Sequence, residues 1–221
     1  MINRIYILNI NEYCKDSLLT EKFELWLTDE KREKIHRYIN KRDYMRSLLA
    51  DVLVRVILSR ILGKSPEKIE FWYNEYGKPY VKGRGGIFFN VSHSEDYVVS
   101  VVSEYECGID IEKKQNMDMS FAESIFTAKE YEYLKGFASR DFNTMFYKIW
   151  TLKEAYVKYM GKGLSLPFDG FSFVNEENEF PTHDFDKSIR FSQIDIKGDY
   201  IISVCGKYEF KNITNIDLKT F

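Results

Sequence analysis

The segment NVSHSEDYVVSVVSEYECGIDIEKK (residues 90–114) joins two apolar runs and carries two acids one residue apart. The runs YVVSVVS (97–103) and CGIDIE (107–112) have the length and the β-branched content of strands. Because alternate residues of a strand share a face, Asp110 and Glu112 point to the same side, about 7 Å apart at the backbone, given ~3.3 Å of rise per residue. Two acids placed in this way repel one another unless a positive charge lies between them.

This pair of acids is a candidate site for a divalent cation. Two carboxylates at this spacing can converge on one hard ion, and protein-bound magnesium usually keeps water or phosphate oxygens as its other ligands. The alternative is an ordinary strand with one solvated face, which is the commoner case for such a pair taken alone. The neighbouring motifs therefore have to decide between the two.

Strand and helix patterns alternate along the first half of the chain. RIYILN (4–9) is predicted to be the first strand, and two short helices then meet near Thr28 and Asp29, either of which can cap the second. The longest helical pattern runs from 41 to 62, where apolar residues recur at three- and four-residue steps, and Gly63 ends it. Strand patterns fill most of the remaining sequence up to residue 112.

The second half repeats this order of helix and strand. Thr127 and Glu130 have the spacing of a capping box, and a long helix is predicted from about 141 to 160. Strand-like pieces follow: FSFV (171–174), IRFSQIDI (189–196), YIISVCG (200–206) and YEFKN (208–212). The fold class expected from these patterns is α+β.

Short echoes relate the two halves. RDY at Arg42 and RDF at Arg140 each open a long helix, and Gly-Lys pairs at Gly63 and Gly161 end those helices, both at an offset of 98 residues. YVVSVV and YIISVC recur at an offset of 103. We interpret these echoes as an internal duplication: a pseudo-dimer of two similar α+β halves, residues 1–106 and 107–221. Such a molecule is expected to hold its active site in the cleft between the halves.

Composition excludes several classes of protein. Hydrophobic residues make up 44% and charged residues 30% of the 221 positions, as in a globular domain. The formal net charge of −2 gives no basic excess for binding nucleic acid, and no apolar run reaches the ~18–20 residues of a membrane span. The three cysteines are far apart and odd in number, which fits neither a disulfide framework nor a zinc site and indicates a reducing cytoplasm.

The predicted helix at the end of the second half carries charged residues on one face. Glu154 and Lys158 are four residues apart, with Trp150 one turn earlier. A surface ion pair is the common meaning of this spacing, but an acid and a base one turn apart can also meet a metal and a phosphate together. Lys153 and Lys162, taken singly, have the character of solvated lysines.

Three further pieces carry polar groups at element ends. His93 follows an apolar strand in NVSHS, where the chain turns, so an exposed functional imidazole is as plausible as a structural one. EYGKPY (75–80) has the composition of a turn between strands. Lys31 and Lys34 lie three apart in DEKREKIHR and form either a solvated helix face or a grip on a phosphate.

Taken in order, EKREK, EYGKPY, FNVSHS, GIDIE and WTLKEAYVK resemble the motifs of the surfactin-synthetase-activating (Sfp) type of 4′-phosphopantetheinyl transferase. The resemblance runs from about Thr28 to Pro167, and GKGLSLP closes it. It implies the activity of a holo-[acyl-carrier-protein] synthase: phosphopantetheine passes from coenzyme A to a serine of an apo carrier protein, and adenosine 3′,5′-bisphosphate is released. It also implies a pseudo-dimeric fold with coenzyme A in the cleft.

The resemblance assigns roles to residues position by position. Magnesium would be held by three acids, Asp110, Glu112 and Glu154, with manganese as an alternative ion. Glu154 would take the proton of the attacking serine, directly or through a water, while Lys158 and His93 would contact the pyrophosphate. The other coenzyme A contacts would be Lys31, Lys34, Arg46 and Ser47 at the 3′-phosphate, Tyr76, Gly77, Lys78 and Pro79 at the adenine, and Ser92 beside the phosphates.

Two other functions stay open on the residues alone. The same acids, histidine and lysines suit a non-catalytic module that binds coenzyme A and metal, or a metal-dependent phosphodiesterase. The expected partners are coenzyme A and an acyl or peptidyl carrier protein domain, with neither nucleic acid nor membrane, and the expected state is a monomer. The sequence leaves open whether the carrier serves fatty-acid, polyketide or nonribosomal peptide synthesis.

Overall fold

A computed structural model describes residues 2–83, 85–138, 141–183 and 186–221. Within these ranges the protein contains both helices and sheets, which confirms the α+β prediction. The helices are α1 (Ser17–Glu24), α2 (Asp29–His36), α3 (Lys41–Leu62), α4 (Met119–Ile125), α5 (Ala128–Lys135) and α6 (Phe142–Met160). The strands are β1 (Arg4–Asn9), β2 (Phe71–Tyr73), β3 (Pro79–Val81), β4 (Phe88–Ser94), β5 (Tyr97–Ser103), β6 (Cys107–Lys113), β7 (Arg190–Ile196), β8 (Tyr200–Gly206) and β9 (Ile213–Asn215).

The strands form two main sheets and one hairpin. The first sheet has the order β4-β5-β1-β9, and the second has the order β6-β8-β7. Neighbouring strands are antiparallel except β1 and β9, which are parallel. The hairpin pairs β2 with β3. Helix α3 packs against the first sheet and α6 against the second, so each half is a helix laid on a sheet.

The sequence echoes correspond to equivalent structural positions. Strands β5 and β8 have the same length and begin 103 residues apart, at Tyr97 and Tyr200. Helices α3 and α6 both end at a glycine in the left-handed region, Gly63 with φ 64° and Gly161 with φ 65°. Arg140, which opens the second echo, lies outside the described residues.

The end of the chain returns to the first half. Strand β9 pairs with β1, with Ile213 opposite Ile5. Ile216 and Leu218 are then buried in the core that α3 forms on the first sheet. The division into 1–106 and 107–221 thus remains our proposal for the duplicated units, with the last residues of the second unit packed on the first.

Two strand predictions are wrong. Residues 171–174 and 208–212 form no strands, although Phe173 and Phe210 are buried. The backbone N–H of Phe173 donates to the Glu130 carboxylate (2.9 Å), and that of Phe210 donates to the Ser192 hydroxyl (2.8 Å). Side chains thus satisfy backbone groups that a strand would pair in a ladder, and the apolar content of these segments reflects burial alone.

Lys153 is not the solvated lysine that the sequence suggests. Its side chain and that of Glu130 are completely buried, and they form an ion pair with an Nζ–Oε2 distance of 2.8 Å. The ammonium also donates to the carbonyls of Phe168 and Phe171. Glu130 is the acid of the capping box that begins α5, which confirms that box and ties α5 to α6.

We expect Lys153→Met to lower the free energy of unfolding by about 3–5 kcal/mol, since it leaves the Glu130 charge buried without its partner. Equilibrium urea unfolding measures this change. The double variant Lys153→Met, Glu130→Gln should lose less than the sum of the single variants. Lys135→Met breaks an exposed pair with Glu132 on the same helix and serves as the control, with no measurable loss expected. Additive losses in the buried pair would contradict the pairing.

No helix in the described part of the chain is both long enough and apolar enough to span a membrane.

Candidate active site

Strands β4 and β6 lie side by side where the two sheets meet. Side chains join them: the Asn90 Oδ1 atom accepts from the N–H of Ile109 (3.0 Å), and the Ser92 hydroxyl donates to Asp110 Oδ1 (2.8 Å). Two residues further on, the Ser94 hydroxyl donates to an oxygen of Glu112 (2.8 Å). Alternate residues of β4 therefore hold the two acids of β6 on one face, because both strands have a side-chain period of two.

Helix α6 crosses β6 at very close range, which only a glycine permits. A Cβ atom at Gly108 would lie 2.0 Å from the carbonyl oxygen of Ala155 and 2.4 Å from the backbone nitrogen of Tyr159. The approach places one face of α6 directly over the acids of β6. Glu154 and Lys158, which share that face, therefore point into the same space as Asp110.

Lys158 and Asp110 form the central ion pair of the site. The Lys158 Nζ atom lies 2.6 Å from Asp110 Oδ1 and 3.0 Å from the Ser92 hydroxyl. Burial lowers the pKa of Lys158, but the charges of Asp110, Glu154 and Glu112 together outweigh this effect and raise the pKa above its usual value. Lys158 is thus a permanent cation at neutral pH.

The acids of the site lack sufficient positive charge around them. Asp110 Oδ2 is buried and has no hydrogen-bond partner among the described residues. Burial, followed by the charge of Asp110, raises the pKa of Glu112 to about 7. Burial also raises the pKa of Glu154, and Lys158 offsets only part of this shift.

These oxygens fit a hard divalent cation. Three carboxylates line one cavity, and one of their oxygens has no partner in the described part of the chain; magnesium and manganese prefer oxygen ligands of this kind. In the described ranges no three His, Cys, Asp or Glu side chains form a preformed metal cage. A bound ion would therefore complete its coordination with ligand or water oxygens.

A polar cavity of about 400 Å³ surrounds the acids. His93 lines this cavity; desolvation, then the positive charges of Lys158 and Arg46, lower the pKa of the imidazole. Lys31 lines the same cavity, and burial lowers the pKa of its ammonium group. The other predicted residues that line this cavity are Ser47, Ser92, Asp110, Glu112, Glu154 and Lys158.

A larger cavity of about 640 Å³ adjoins the polar one and is mainly apolar. Trp150, Glu154 and Lys158 line both cavities, so the two form a continuous cleft. The turn between β2 and β3 and residues 166–169 both line this cavity. The predicted adenine contacts Tyr76, Gly77, Lys78 and Pro79 all line this larger cavity.

Three of the predicted site residues do not present a free charged group to the cleft. Lys34 is exposed on α2. Arg46 is engaged by Asp43 and by the carbonyl of Glu95 (3.0 Å). Lys78 lines the cavity, but its ammonium group is bound elsewhere by protein groups.

Sequence reasoning missed the supporting residues Asn90 and Ser94. Both hold β6 in place through side-chain hydrogen bonds. Their signal was available in NVSHS, where polar residues occupy every second position of a predicted strand. In this segment the sequence motifs assign a role only to Ser92 and His93, because the partner strand of the polar stripe is not visible in a local pattern.

Comparisons with known proteins identify relatives over most of the chain. The family described as "4'-phosphopantetheinyl transferase superfamily" matches residues 106–205, and the family described as "4'-phosphopantetheinyl transferase, N-terminal" matches residues 20–105. The 4'-phosphopantetheinyl transferase gsp of Aneurinibacillus migulanus is 34% identical over 194 residues, covering 87% of this chain and 80% of that protein. The transferase ffp of Bacillus subtilis is 36% identical, covering 84% of each. The transferase Sfp of Bacillus subtilis (strain 168) is 40% identical over 152 residues, covering 69% of this chain and 68% of that protein.

Proposed function

The chain belongs to the 4′-phosphopantetheinyl transferase superfamily and is an enzyme of that class, and on this premise we propose that its donor is coenzyme A. The acceptor would be a serine of an apo carrier protein, and the products the holo carrier and adenosine 3′,5′-bisphosphate. The observation that carries the proposal is the buried Oδ2 atom of Asp110, which has no partner among the residues that the structure describes, in a cavity that also holds lysines. Such a site binds a cation and a polyanion together.

The metal assignment is Asp110, Glu112 and Glu154, with magnesium as the ion. Bound there, magnesium would neutralise the pyrophosphate and the charge that develops on its leaving oxygen. Lys158 supplies a fixed positive charge next to Asp110 and would stabilise the same oxygens. His93, which lines the same cavity, would add a hydrogen bond at the phosphates. Ser92, whose hydroxyl is bound to Asp110 and Lys158, would lie beside the phosphates.

Glu154 is the proposed proton acceptor. Burial raises the pKa of its carboxyl group, which favours accepting a proton near neutral pH. A carboxylate that holds a metal ion is a weaker base, so a route through a water carries equal weight. The serine oxygen attacks the phosphorus next to the pantetheine, its proton passes to Glu154 directly or through a water, and the bond to the bisphosphate breaks. The electron pair of that bond leaves with adenosine 3′,5′-bisphosphate. The protein thus contributes mainly position and charge, as phosphoryl transfer requires.

The proposal includes the setting in which the enzyme works. Coenzyme A and a carrier domain of fatty-acid, polyketide or peptide synthesis are the partners, and a reducing cytoplasm and a working monomer are proposed with them. The three unpaired cysteines support the first setting, and a cleft formed within one chain supports the second.

The decisive experiment incubates the protein with coenzyme A, magnesium and an apo carrier protein. We expect the carrier to gain the mass of one phosphopantetheine, and a carrier whose serine is replaced by alanine to gain nothing. Release of the bisphosphate without any carrier would indicate a phosphodiesterase instead. Tight binding of coenzyme A with neither product would indicate a binding module. Chelation of the metal, followed by addition of magnesium or manganese, tests the ion.

Lys31→Ala should raise the KM for coenzyme A by roughly ten- to a hundredfold, since a charge-assisted bond to the 3′-phosphate contributes about 1.5–3 kcal/mol. The 3′-phosphate lies far from the bond that breaks, so kcat should change much less. The variant should also lose the preference of the native enzyme for coenzyme A over dephospho-coenzyme A. Lys34→Ala, at the exposed neighbour, should have a smaller effect, and the double variant the largest. If the double variant still prefers coenzyme A over dephospho-coenzyme A as the native enzyme does, Lys31 and Lys34 only form a solvated helix face.

A further inference from the structure

Lys78 is a buried lysine whose ammonium group is fully engaged by the protein. Its side chain is 6% exposed, and Nζ lies 2.6 Å from Glu106 Oε2, 3.0 Å from the carbonyl of Tyr159 and 3.3 Å from the carbonyl of Cys107. A lysine ammonium has three protons, and these three acceptors account for all of them. The group therefore has no donor left for a ligand in the cleft.

The three acceptors lie at the start of β6 and at the end of α6, the two elements that carry the acids of the site. Glu106 and Cys107 lie where the first half joins β6, the strand that carries the acids. The carbonyl of Tyr159 is in the last turn of α6, where backbone oxygens lack helical partners and the helix dipole attracts a cation. Lys78 thus completes the end of the helix that carries Glu154 and Lys158.

The turn that precedes β3 is seated on the end of α6 by a second residue. The Asn74 amide nitrogen donates to the carbonyl of Gly161 (2.9 Å), and Asn74 Oδ1 accepts from the N–H groups of Tyr76 (3.0 Å) and Lys78 (2.8 Å). A Cβ atom at Gly161 would lie 2.9 Å from the Cδ atom of Lys78, so the lysine stem occupies the space that this glycine leaves. The turn and the helix end form one packed unit.

We propose that Lys78 is a positioning residue, which fixes the cleft wall Tyr76–Pro79 to the end of α6 and to the joint at Glu106 instead of contacting the donor. The wall borders the apolar part of the cleft, and α6 carries the groups of the polar part. Lys78 therefore sets the distance between the place for the adenine and the place for the pyrophosphate. The inference rests on the proposed function only in naming coenzyme A as the ligand.

The test is a double-mutant cycle on Lys78→Met and Glu106→Gln, with ligand binding measured by calorimetry. Each single variant should weaken coenzyme A and adenosine 3′,5′-bisphosphate by about tenfold, the loss expected when a charged hydrogen-bond partner is removed. Binding of 4′-phosphopantetheine should change by less than about twofold, because it lacks the adenine. The double variant should be no weaker than either single variant, since both break one contact. The KM for coenzyme A should rise, while kcat stays within about threefold.

A direct contact between Lys78 and the donor gives the opposite pattern. Glu106→Gln would then leave affinity unchanged or improve it, and the two substitutions would add. Either result overturns the inference. Lys82→Met and Glu70→Gln break an exposed pair (3.2 Å) that flanks the same hairpin, and these matched controls should bind like the native protein.

A measurement without ligand separates this inference from the proposed function. In the free protein, Lys78→Met and Glu106→Gln should speed hydrogen exchange at the amides of Tyr76, Gly77 and Gly161. Unchanged exchange there overturns the positioning role even if coenzyme A binds. A native protein that binds no coenzyme A overturns the proposed function, while the exchange data still decide the role of Lys78. Should Lys78→Met fail to fold, Glu106→Gln, at a partly exposed carboxylate, carries the same comparison.

Discussion

Asp110→Asn is expected to lower the rate of phosphopantetheine transfer by at least ~10²-fold, while the protein stays folded. The substitution keeps the shape of the side chain and an oxygen that can accept from Ser92 and Lys158. It removes the negative charge that would bind a cation through Oδ2, and it leaves a positive Lys158 beside a neutral amide. The loss should appear in kcat, because a cation bound at this carboxylate would stabilise the negative charge that develops in the transition state.

The comparison needs single-turnover rates at saturating magnesium and a thermal melt of both proteins. Glu209→Gln removes an exposed carboxylate, paired with Lys211, from the same half and should retain the native rate. Near-native turnover by Asp110→Asn would show that Asp110 is not a metal ligand. The main support for the proposed metal site would then be lost.

Gly108→Ala is expected to cost at least about 3 kcal/mol of stability and about 10²-fold in rate. The added methyl group meets backbone atoms of Ala155 and Tyr159, which cannot rotate away as a side chain would. Helix α6 must therefore move away from β6, and it takes Glu154 and Lys158 with it. A displacement of about 1 Å is enough to misplace these groups relative to Asp110.

Urea unfolding and steady-state rates on Gly108→Ala measure both effects. The control is Gly85→Ala, where an added Cβ has none of the other described residues within 4 Å apart from its chain neighbours, and it should match the native protein. A stable Gly108→Ala with the native rate would show that the contact between helix and strand is softer than the structure indicates.

Periodicity alone predicts much of this architecture. The bounds of β1 and α3 agree with the structure to the residue, because β1 is a short apolar run between polar residues and α3 has clear caps in Asn40 and Gly63. The same periodicities place two acids on one face of β6 and an acid and a base on one face of α6. They do not show that Gly108 lets these faces meet, because that depends on the packing of distant segments.

The burial of two lysine ammonium groups could not be predicted from this sequence. Lys78 and Lys153 have the local context of solvated or ligand-binding lysines, yet each is enclosed by an acid and by carbonyl groups from remote parts of the chain. The same limit applies to β9, three residues whose partner is β1. Long-range partners of this kind leave no local pattern, so a single sequence indicates the residue types and not the neighbours.

The pairing of β9 with β1 also determines the order in which the protein can fold during synthesis. Residues 213–215 are made almost a full chain after Arg4–Asn9, roughly ten to forty seconds later at about 5–20 residues per second. During that interval β5 can cover one edge of β1, while the other edge has no partner strand. An open edge of this kind invites pairing with another nascent chain. The N-terminal sheet therefore passes through an aggregation-prone stage on the ribosome, which ends only when β9 has emerged.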